Sequence, residues 1–248
     1  MLRGIIFSVA VLLFSLGALG AQETDVQSPP SENMRSNEDL SNENTDGPDT
    51  SMPGTDSIAP VSEDLTPVQL RALFLPEYLK DFADSVSPLP TGPQSGVPSV
   101  NCVERCFEAL QLEAGSRVYI IGRSVGFISA FFAQKDMVVR VSEQEEDLLT
   151  EYRLLWEQLG LSEITQMNFA DTKRDFGDTG FDGILLHAPV EEIPASLIEM
   201  VADDGVLIAP ITDLHDTQLM LKLQREGENW SISTLEYQFF PGTPLILE

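Results

Sequence analysis

From residue 117 onward, short apolar runs alternate with longer stretches in which apolar residues recur at helical spacing. Short β-branched and aromatic runs are typical of buried strands, whereas recurrence every three or four residues is typical of amphipathic helices. The pattern predicts strands at 117–121, 137–141, 164–169, 182–186 and 205–209, and helices at 127–134, 145–159 and 193–201. Two further strands, 218–223 and 231–239, follow one another directly and are predicted to pair antiparallel.

Strand–helix alternation of this kind predicts a doubly wound α/β fold with a mostly parallel sheet. With the antiparallel C-terminal pair, the prediction is a seven-stranded, Rossmann-like sheet. Ligands of such sheets bind beyond the carboxyl ends of the strands. Residues that directly follow a strand are therefore the first candidates for function.

The segment before this alternation is less regular. Residues 66–74 predict a short helix with Pro67 near its start, and 84–100, rich in Pro, Ser and Gly, is predicted to be largely loop. The apolar spacing of 102–110 predicts a helix that buries Cys102 and Cys106 on one face. A disulfide between them is disfavoured, because neighbouring helical turns aim their side chains poorly for bridging.

The first residues have the features of a secretory signal. Arg3 precedes an apolar run at 5–16, and the small residues Ala18 and Gly20 predict cleavage before Ala21. The run is shorter than the roughly 20 residues of a membrane span. Residues 1–20 are therefore predicted to be a signal peptide of an exported protein, periplasmic or secreted. An uncleaved membrane anchor is the alternative.

The next segment, 21–64, consists mainly of Ser, Asn, Asp, Pro and Thr, with Arg35 as its only basic residue. It carries too few large apolar side chains to offset the entropy of ordering its backbone. We predict a disordered acidic spacer there, followed by a folded domain at 65–248.

Charge narrows the range of partners. The chain has 14 basic and 40 acidic residues and a formal net charge of −26. Nucleic-acid binding depends on Lys and Arg side chains that neutralise phosphates, so no nucleic-acid partner is expected. With two Cys and two His, a structural zinc site is not predicted either.

Seven short segments form a recognisable pattern. They include a Phe-Leu-Pro-Glu and a Pro-Leu-Pro-Thr-Gly element, and a glycine-containing turn after the first predicted strand of the sheet. The segments are 74–77, 88–92, 118–127, 181–184, 192–194, 205–210 and 238–241. In their order and nearly gapless spacing they resemble the protein-L-isoaspartate O-methyltransferases.

The resemblance implies an activity and a cofactor. Enzymes of this family transfer a methyl group from S-adenosylmethionine to isoaspartyl carboxylates in damaged proteins, so a protein or peptide substrate is expected. Binding loops that position donor and acceptor matter most in such chemistry. The resemblance places the cofactor against Gly122, Ser124 and Gly126, with Asp171 at the adenine. Ser142 aligns with the acidic residue that would bind the ribose, and Glu143, one residue later, is the candidate for that contact.

Three positions depart from the family pattern. Ser124 replaces the middle glycine of the loop, and Ile120 replaces the acidic residue that would pair with the ammonium group of the methionine. Pro98 occupies the position of the serine that lies beside the reacting carboxylate. Pro has no hydroxyl, so the catalytic candidate is Ser99, which fits only if the alignment slips by one residue.

Two hypotheses follow. The first is an exported member of this family that binds S-adenosylmethionine with weak or lost transferase activity. The second is a non-catalytic binding or scaffold module of the envelope that keeps the fold. His187, at a strand end, is expected to be a satisfied structural residue, and His215 has no predicted role.

Overall fold

The computed structural model describes residues 65–92, 95–167, 180–212 and 218–235, which all lie within one compact unit, Pro60–Glu248. The predicted signal peptide and acidic spacer lie outside the described residues, and both stay predictions. Within the described part, no helix is long and apolar enough to cross a membrane.

The described α-helices agree with the predicted helices in order, and a 3₁₀ helix that was not predicted follows the first of them. Thr66 caps the first helix through a reciprocal capping box with Gln69, and Pro67 takes the first helical position, where its missing N–H costs nothing. The helices are α1 Pro67–Leu73, a 3₁₀ helix Glu77–Phe82, α2 Val100–Leu110, α3 Gly126–Ala133, α4 Glu146–Gln158 and α5 Ala195–Glu199.

The strands form a two-stranded hairpin and a seven-stranded sheet. In the large sheet the order is β5-β4-β3-β6-β7-β8-β9, in which the first five are parallel and the last two antiparallel. The predicted fold class is confirmed. The strands are β1 Leu89–Gly92, β2 Ser95–Val97, β3 Arg117–Gly122, β4 Val138–Glu143, β5 Thr165–Gln166, β6 Phe181–His187, β7 Val201–Thr212, β8 Gln218–Glu226 and β9 Asn229–Leu235.

Some boundaries differ from the sequence prediction. The segment predicted as loop contains the β1–β2 hairpin, and β7 begins four residues earlier than expected, at Val201, which pairs with Phe181. The predicted helix at 193–201 is correspondingly shorter. Pairing between strands decides these bounds, because an extended segment gains backbone hydrogen bonds that the propensities of its own residues do not predict.

One face of the sheet carries a large apolar cluster. Alternate residues of β3, Val118 and Ile120, belong to it together with side chains of α1, α2, α3 and α4. Cys102 and Cys106 are buried in the same cluster as free thiols, which confirms their predicted core position. A hydrogen bond with Cys106, followed by burial, raises the pKa of the Cys102 thiol far above its usual range.

Strand β3 lies at the centre of the parallel part of the sheet. Its neighbours are β4, which follows it in the chain, and β6, which comes after β5. The strand order therefore reverses between β3 and β6. A crevice outside the carboxyl ends of strands forms at such a reversal, and the three strand ends there define the candidate site.

Candidate functional site

Three strand ends bring the site residues together. In the β3–β4 pairing Gly122 is the register partner of Glu143, and in the β3–β6 pairing it is the partner of His187. Gly122 thus lies between a carboxylate and an imidazole at the carboxyl edge of the sheet. The sequence predicted Gly122 and Glu143 as neighbours in function, and the structure brings them together.

The turn after β3 has a residue other than glycine in the left-handed backbone conformation that favours glycine. Ser124 has φ 57°, in the left-handed region that costs a side chain about 1 kcal/mol relative to Gly. Its side chain is buried beside the phenol of Tyr152, and its hydroxyl makes no hydrogen bond of standard geometry among the described residues. The loop shape is therefore retained at the position that departs from the family pattern.

The two glycines of the turn are required by packing inside the protein. A Cβ on Gly122 would lie 2.8 Å from the carbonyl carbon and oxygen of His187. One on Gly126 would lie 2.6 Å from the ring of Tyr152 and 2.7 Å from that of Phe74. Both glycines thus have a structural role that does not depend on a bound cofactor.

Glu143 is a buried carboxylate that fastens this turn. The Val125 N–H donates to its Oε2 at 3.0 Å, and the Glu145 N–H donates to its Oε1 at 3.2 Å. Burial raises the pKa of Glu143 to about 7, against the lowering effect of these backbone donors. Each oxygen keeps lone pairs that a ligand hydroxyl could use.

The parent protein is expected to lose stability as the pH rises through 7, and the Glu143→Gln substitution should remove this loss. The pKa of Glu143 is about 7 in the folded protein and 4.5 ordinarily, so the folded state binds this proton more tightly. The protonated Glu143 side chain makes its full contribution to the free energy of unfolding below about pH 4.5. This contribution, at most about 3 kcal/mol, is lost as the pH rises through 7. Urea unfolding of both proteins from pH 4 to 8 measures the difference.

The exposed Glu146→Gln variant is the matched control, because its side chain is not desolvated on folding. Its stability difference from the parent protein should stay flat over the same range. A flat difference for Glu143→Gln as well would contradict the assignment of this buried proton.

Two side chains that the sequence did not single out complete the wall of the site. Tyr152 of α4 is buried against the ring of Phe74, with centroids 5.7 Å apart, and burial raises its pKa above the usual range. Trp156, one turn later, donates from Nε1 to the Gly126 carbonyl at 3.2 Å. The amphipathic pattern of the helix shows that these residues are buried, but not that they face the β3 turn.

His187 has the expected structural role at the end of β6, with a hydrogen bond through one of its two ring nitrogens. Its Nδ1 lies 2.6 Å from the Arg123 carbonyl oxygen, which can only accept, so Nδ1 carries the proton. Burial lowers the pKa of His187 to about 4, and the ring is neutral near pH 7. The imidazole therefore holds the β3 turn without adding a charge.

The catalytic candidate has a structural role in α2. Ser99 is the N-cap of that helix, and its Oγ accepts from the Cys102 N–H at 3.2 Å. A Ser before an apolar helical run is a capping signal, so this role was readable from the sequence. The catalytic role of Ser99 stays a prediction.

The remaining predicted positions separate into two groups. Ile120 is fully buried in the apolar cluster beneath the sheet, where the resemblance would place a carboxylate. Asp171 and His215 lie outside the described residues. The predicted adenine contact at Asp171 therefore stays a prediction.

Known proteins match the chain over most of this domain. The sequence model of the protein-L-isoaspartate(D-aspartate) O-methyltransferase family matches residues 56–243. The chain belongs to the protein-L-isoaspartate O-methyltransferase family. The protein of that name from Roseiflexus sp. is 31% identical over 173 residues, covering 69% of this chain and 78% of its own. The Myxococcus xanthus relative is 31% identical over 184 residues, covering 71% and 85%.

Solved structures of the family have the same fold. One protein-L-isoaspartate O-methyltransferase superposes with a TM-score of 0.62 at 18% identity, covering 70% of this chain and 57% of its own. The Plasmodium falciparum β-aspartate methyltransferase, in complex with S-adenosyl-L-homocysteine, gives a TM-score of 0.53 at 18% identity, covering 72% and 90%. At this identity the likeness establishes the fold.

The described residues fit one part of S-adenosylmethionine better than the other. Glu143 supplies a carboxylate with free lone pairs at the end of β4, suited to the two ribose hydroxyls. Two residues before the end of β3, Ile120 offers no partner for an ammonium group. The described residues therefore include a carboxylate suited to the ribose and lack the acidic residue expected for the methionine part.

Proposed function

We propose that this protein is a degenerate member of its family, which binds the nucleoside part of S-adenosylmethionine and transfers methyl groups to isoaspartyl carboxylates slowly or not at all. The observation that carries the proposal is the asymmetry of two neighbouring strand ends. Strand β4 ends in the carboxylate of Glu143, whereas β3 carries the buried, apolar Ile120. When bound, S-adenosylmethionine would supply the methyl group.

The chain's own residues would then have limited roles. Glu143 would accept the ribose hydroxyls, and the left-handed turn at Ser124 would admit the nucleoside close to the backbone. Near the expected substrate position, Pro98 has no donor and the Ser99 hydroxyl is engaged as a helix cap. A carboxylate would therefore lack the hydroxyl contact that the resemblance places at position 98, and orientation is the main source of rate in such a transfer.

Isothermal titration with S-adenosylmethionine, S-adenosylhomocysteine and adenosine tests the binding half. We expect all three to bind with dissociation constants within about threefold of one another, because the methionine part gains no charged partner. A methyl-transfer assay on an isoaspartyl peptide, run beside the Roseiflexus relative, tests the catalytic half. Micromolar binding with comparable turnover would refute the proposal; no binding of any of the three at millimolar concentration would leave the fold as a scaffold.

A carboxylate introduced at position 120 should make the protein prefer S-adenosylmethionine over adenosine. In an Ile120→Glu/Pro98→Ser protein, affinity for S-adenosylmethionine should rise about 10–100-fold relative to adenosine, since a charge-assisted contact contributes about 1.5–3 kcal/mol. Ile120→Gln/Pro98→Ser is the matched control, with nearly the same shape and no charge. Circular dichroism of each variant checks that the buried substitution leaves the fold intact. Equal affinities in both variants would show that Ile120 does not face the methionine part.

We also propose that the protein is exported, on the strength of Arg3, the apolar run at 5–16 and the small residues before Ala21. Mass spectrometry of the protein recovered from cell fractions should find a chain beginning at Ala21 outside the cytoplasm. A cytoplasmic chain that retains its first 20 residues would contradict this. Export would also separate the protein from S-adenosylmethionine, which is made inside cells.

A further inference from the structure

The segment 77–86 exposes large apolar side chains. Tyr78 is 72% exposed, Phe82 56% and Val86 84%, within ten residues of chain. Single exposed apolar residues are ordinary on protein surfaces, but a local concentration of them marks interaction sites. The segment includes the 3₁₀ helix and leads directly into the β1–β2 hairpin.

The buried side chain of Arg71 fixes the backbone of this segment through hydrogen bonds. The Nη1 of Arg71 donates to the carbonyls of Ala83 and Ser85 at 2.9 and 2.8 Å, and its Nη2 donates to those of Ser87 and Val97 at 3.0 and 3.3 Å. The apolar residues Phe82 and Val86 flank the carbonyls fixed in this way. They are thus presented on an ordered backbone, which lowers the entropy cost of binding a partner.

The charges of the segment are mainly negative. Glu77, Asp81 and Asp84 are exposed, and the one basic side chain, Lys80, pairs with Glu77 at 2.7 Å. The whole chain has a formal net charge of −26. A second copy of the chain would be repelled at such a surface, whereas a cationic partner would be attracted.

We propose that residues 77–86 form a docking surface for a basic polypeptide segment that carries aromatic or aliphatic side chains. Apolar side chains of the partner would pack on Tyr78, Phe82 and Val86, while its Lys or Arg residues would meet the surrounding carboxylates. The surface requires neither cofactor nor turnover, so it goes beyond the proposed function and does not depend on nucleoside binding.

Fluorescence anisotropy with three labelled synthetic peptides tests both components. One alternates Lys with Phe, the second replaces Lys by Glu, and the third replaces Phe by Ser. The full chain, without nucleoside, should bind the first at least about tenfold more tightly than the other two. Raising the salt concentration should weaken that binding, since exposed charges are screened.

Two variants locate the site. Tyr78→Ser/Phe82→Ser/Val86→Ser should lose about tenfold or more in affinity for the Lys/Phe peptide, whereas the control Val138→Ser/Leu154→Ser, which removes exposed apolar side chains elsewhere, should not. Glu77→Lys/Asp81→Lys should weaken the same peptide and favour the Glu/Phe one. Circular dichroism confirms folding of each.

Equal binding of the three peptides, or unchanged binding by the triple serine variant, would overturn the proposal. Two other results would do the same by assigning the surface to another occupant. One is self-association in sedimentation velocity that the triple serine variant abolishes, in the absence of peptide binding. The other is binding to neutral phosphatidylcholine vesicles that depends on the same three side chains while the peptides do not bind.

Discussion

Replacing Arg71 with Met is expected to lower the free energy of unfolding by about 3–5 kcal/mol. The guanidinium is fully buried, and it donates to four carbonyl groups of the segment 83–97. Met can fill the volume but offers no donor, so buried carbonyls lose their partners. Urea unfolding gives the magnitude, and hydrogen exchange should show lost protection around the β1–β2 hairpin.

The Arg71 guanidinium keeps its positive charge in the folded protein although it is buried. Burial lowers the pKa of Arg71 to about 10, with the nearby Asp84 opposing this shift, so the side chain is protonated near pH 7. Arg71→Lys keeps a charge but has no planar fork to reach four acceptors, and we expect it to recover only part of the loss.

The exposed Arg153→Met variant on α4 is the control and should change stability by less than about 0.5 kcal/mol. A similarly small effect for Arg71→Met would show that the loop is held by other contacts. It would also remove the preorganisation argument for the surface at 77–86.

Gly122→Ala is expected to destabilise the protein by about 3 kcal/mol or more. The new methyl group would lie 2.8 Å from backbone atoms of His187, which cannot move unless β3 and β6 separate. Gly126→Ala should cost less, because the atoms it meets belong to the rings of Tyr152 and Phe74. Thermal and urea unfolding of both variants should reveal this order.

Gly183→Ala on β6 is the matched control, since the nearest atoms to its Cβ would be the side-chain ends of Leu112 at 3.1 Å and Leu110 at 3.4 Å. It should cost about 1 kcal/mol or less. If Gly122→Ala instead folds with native stability and loses nucleoside binding alone, the glycine serves the ligand. The expected result assigns it first to the contact between the strands.

This distinction matters for the activity of the family member. Gly122 and Gly126 match the cofactor loop of the family in sequence, yet both are also demanded by contacts within the protein. Their presence in the chain is therefore weak support for cofactor binding. Glu143 is better support, because its carboxylate oxygens lie at the end of β4 and keep lone pairs beyond the two backbone donors they accept.

The amino-acid sequence determined the fold class and the order of the strands in the chain. Periodicity predicted the described α-helices and the strands of the large sheet, but not the 3₁₀ helix or the β1–β2 hairpin. Burial on one or two faces imposes a spacing that is visible in the residues themselves. The resemblance to the family marked Gly122, Glu143 and Ile120 as candidate site positions, and the ends of parallel strands are expected to converge at one edge.

Other features depend on contacts between residues that are distant in the chain. Nothing in the spacing of Tyr152 places its phenol beside Ser124, and nothing around Arg71 identifies the four carbonyls that it holds. Such contacts arise from packing between elements, and so they are invisible to local pattern.

The sequence by itself thus determined the architecture of this family member and the residues at its candidate site. Only the tertiary structure decided which contacts those residues make. It gave Gly122 and Gly126 neighbours that exclude a side chain, and it buried Glu143 enough to raise its pKa. The physical reason is that a residue's type is local, whereas its burial, partners and protonation depend on everything packed around it.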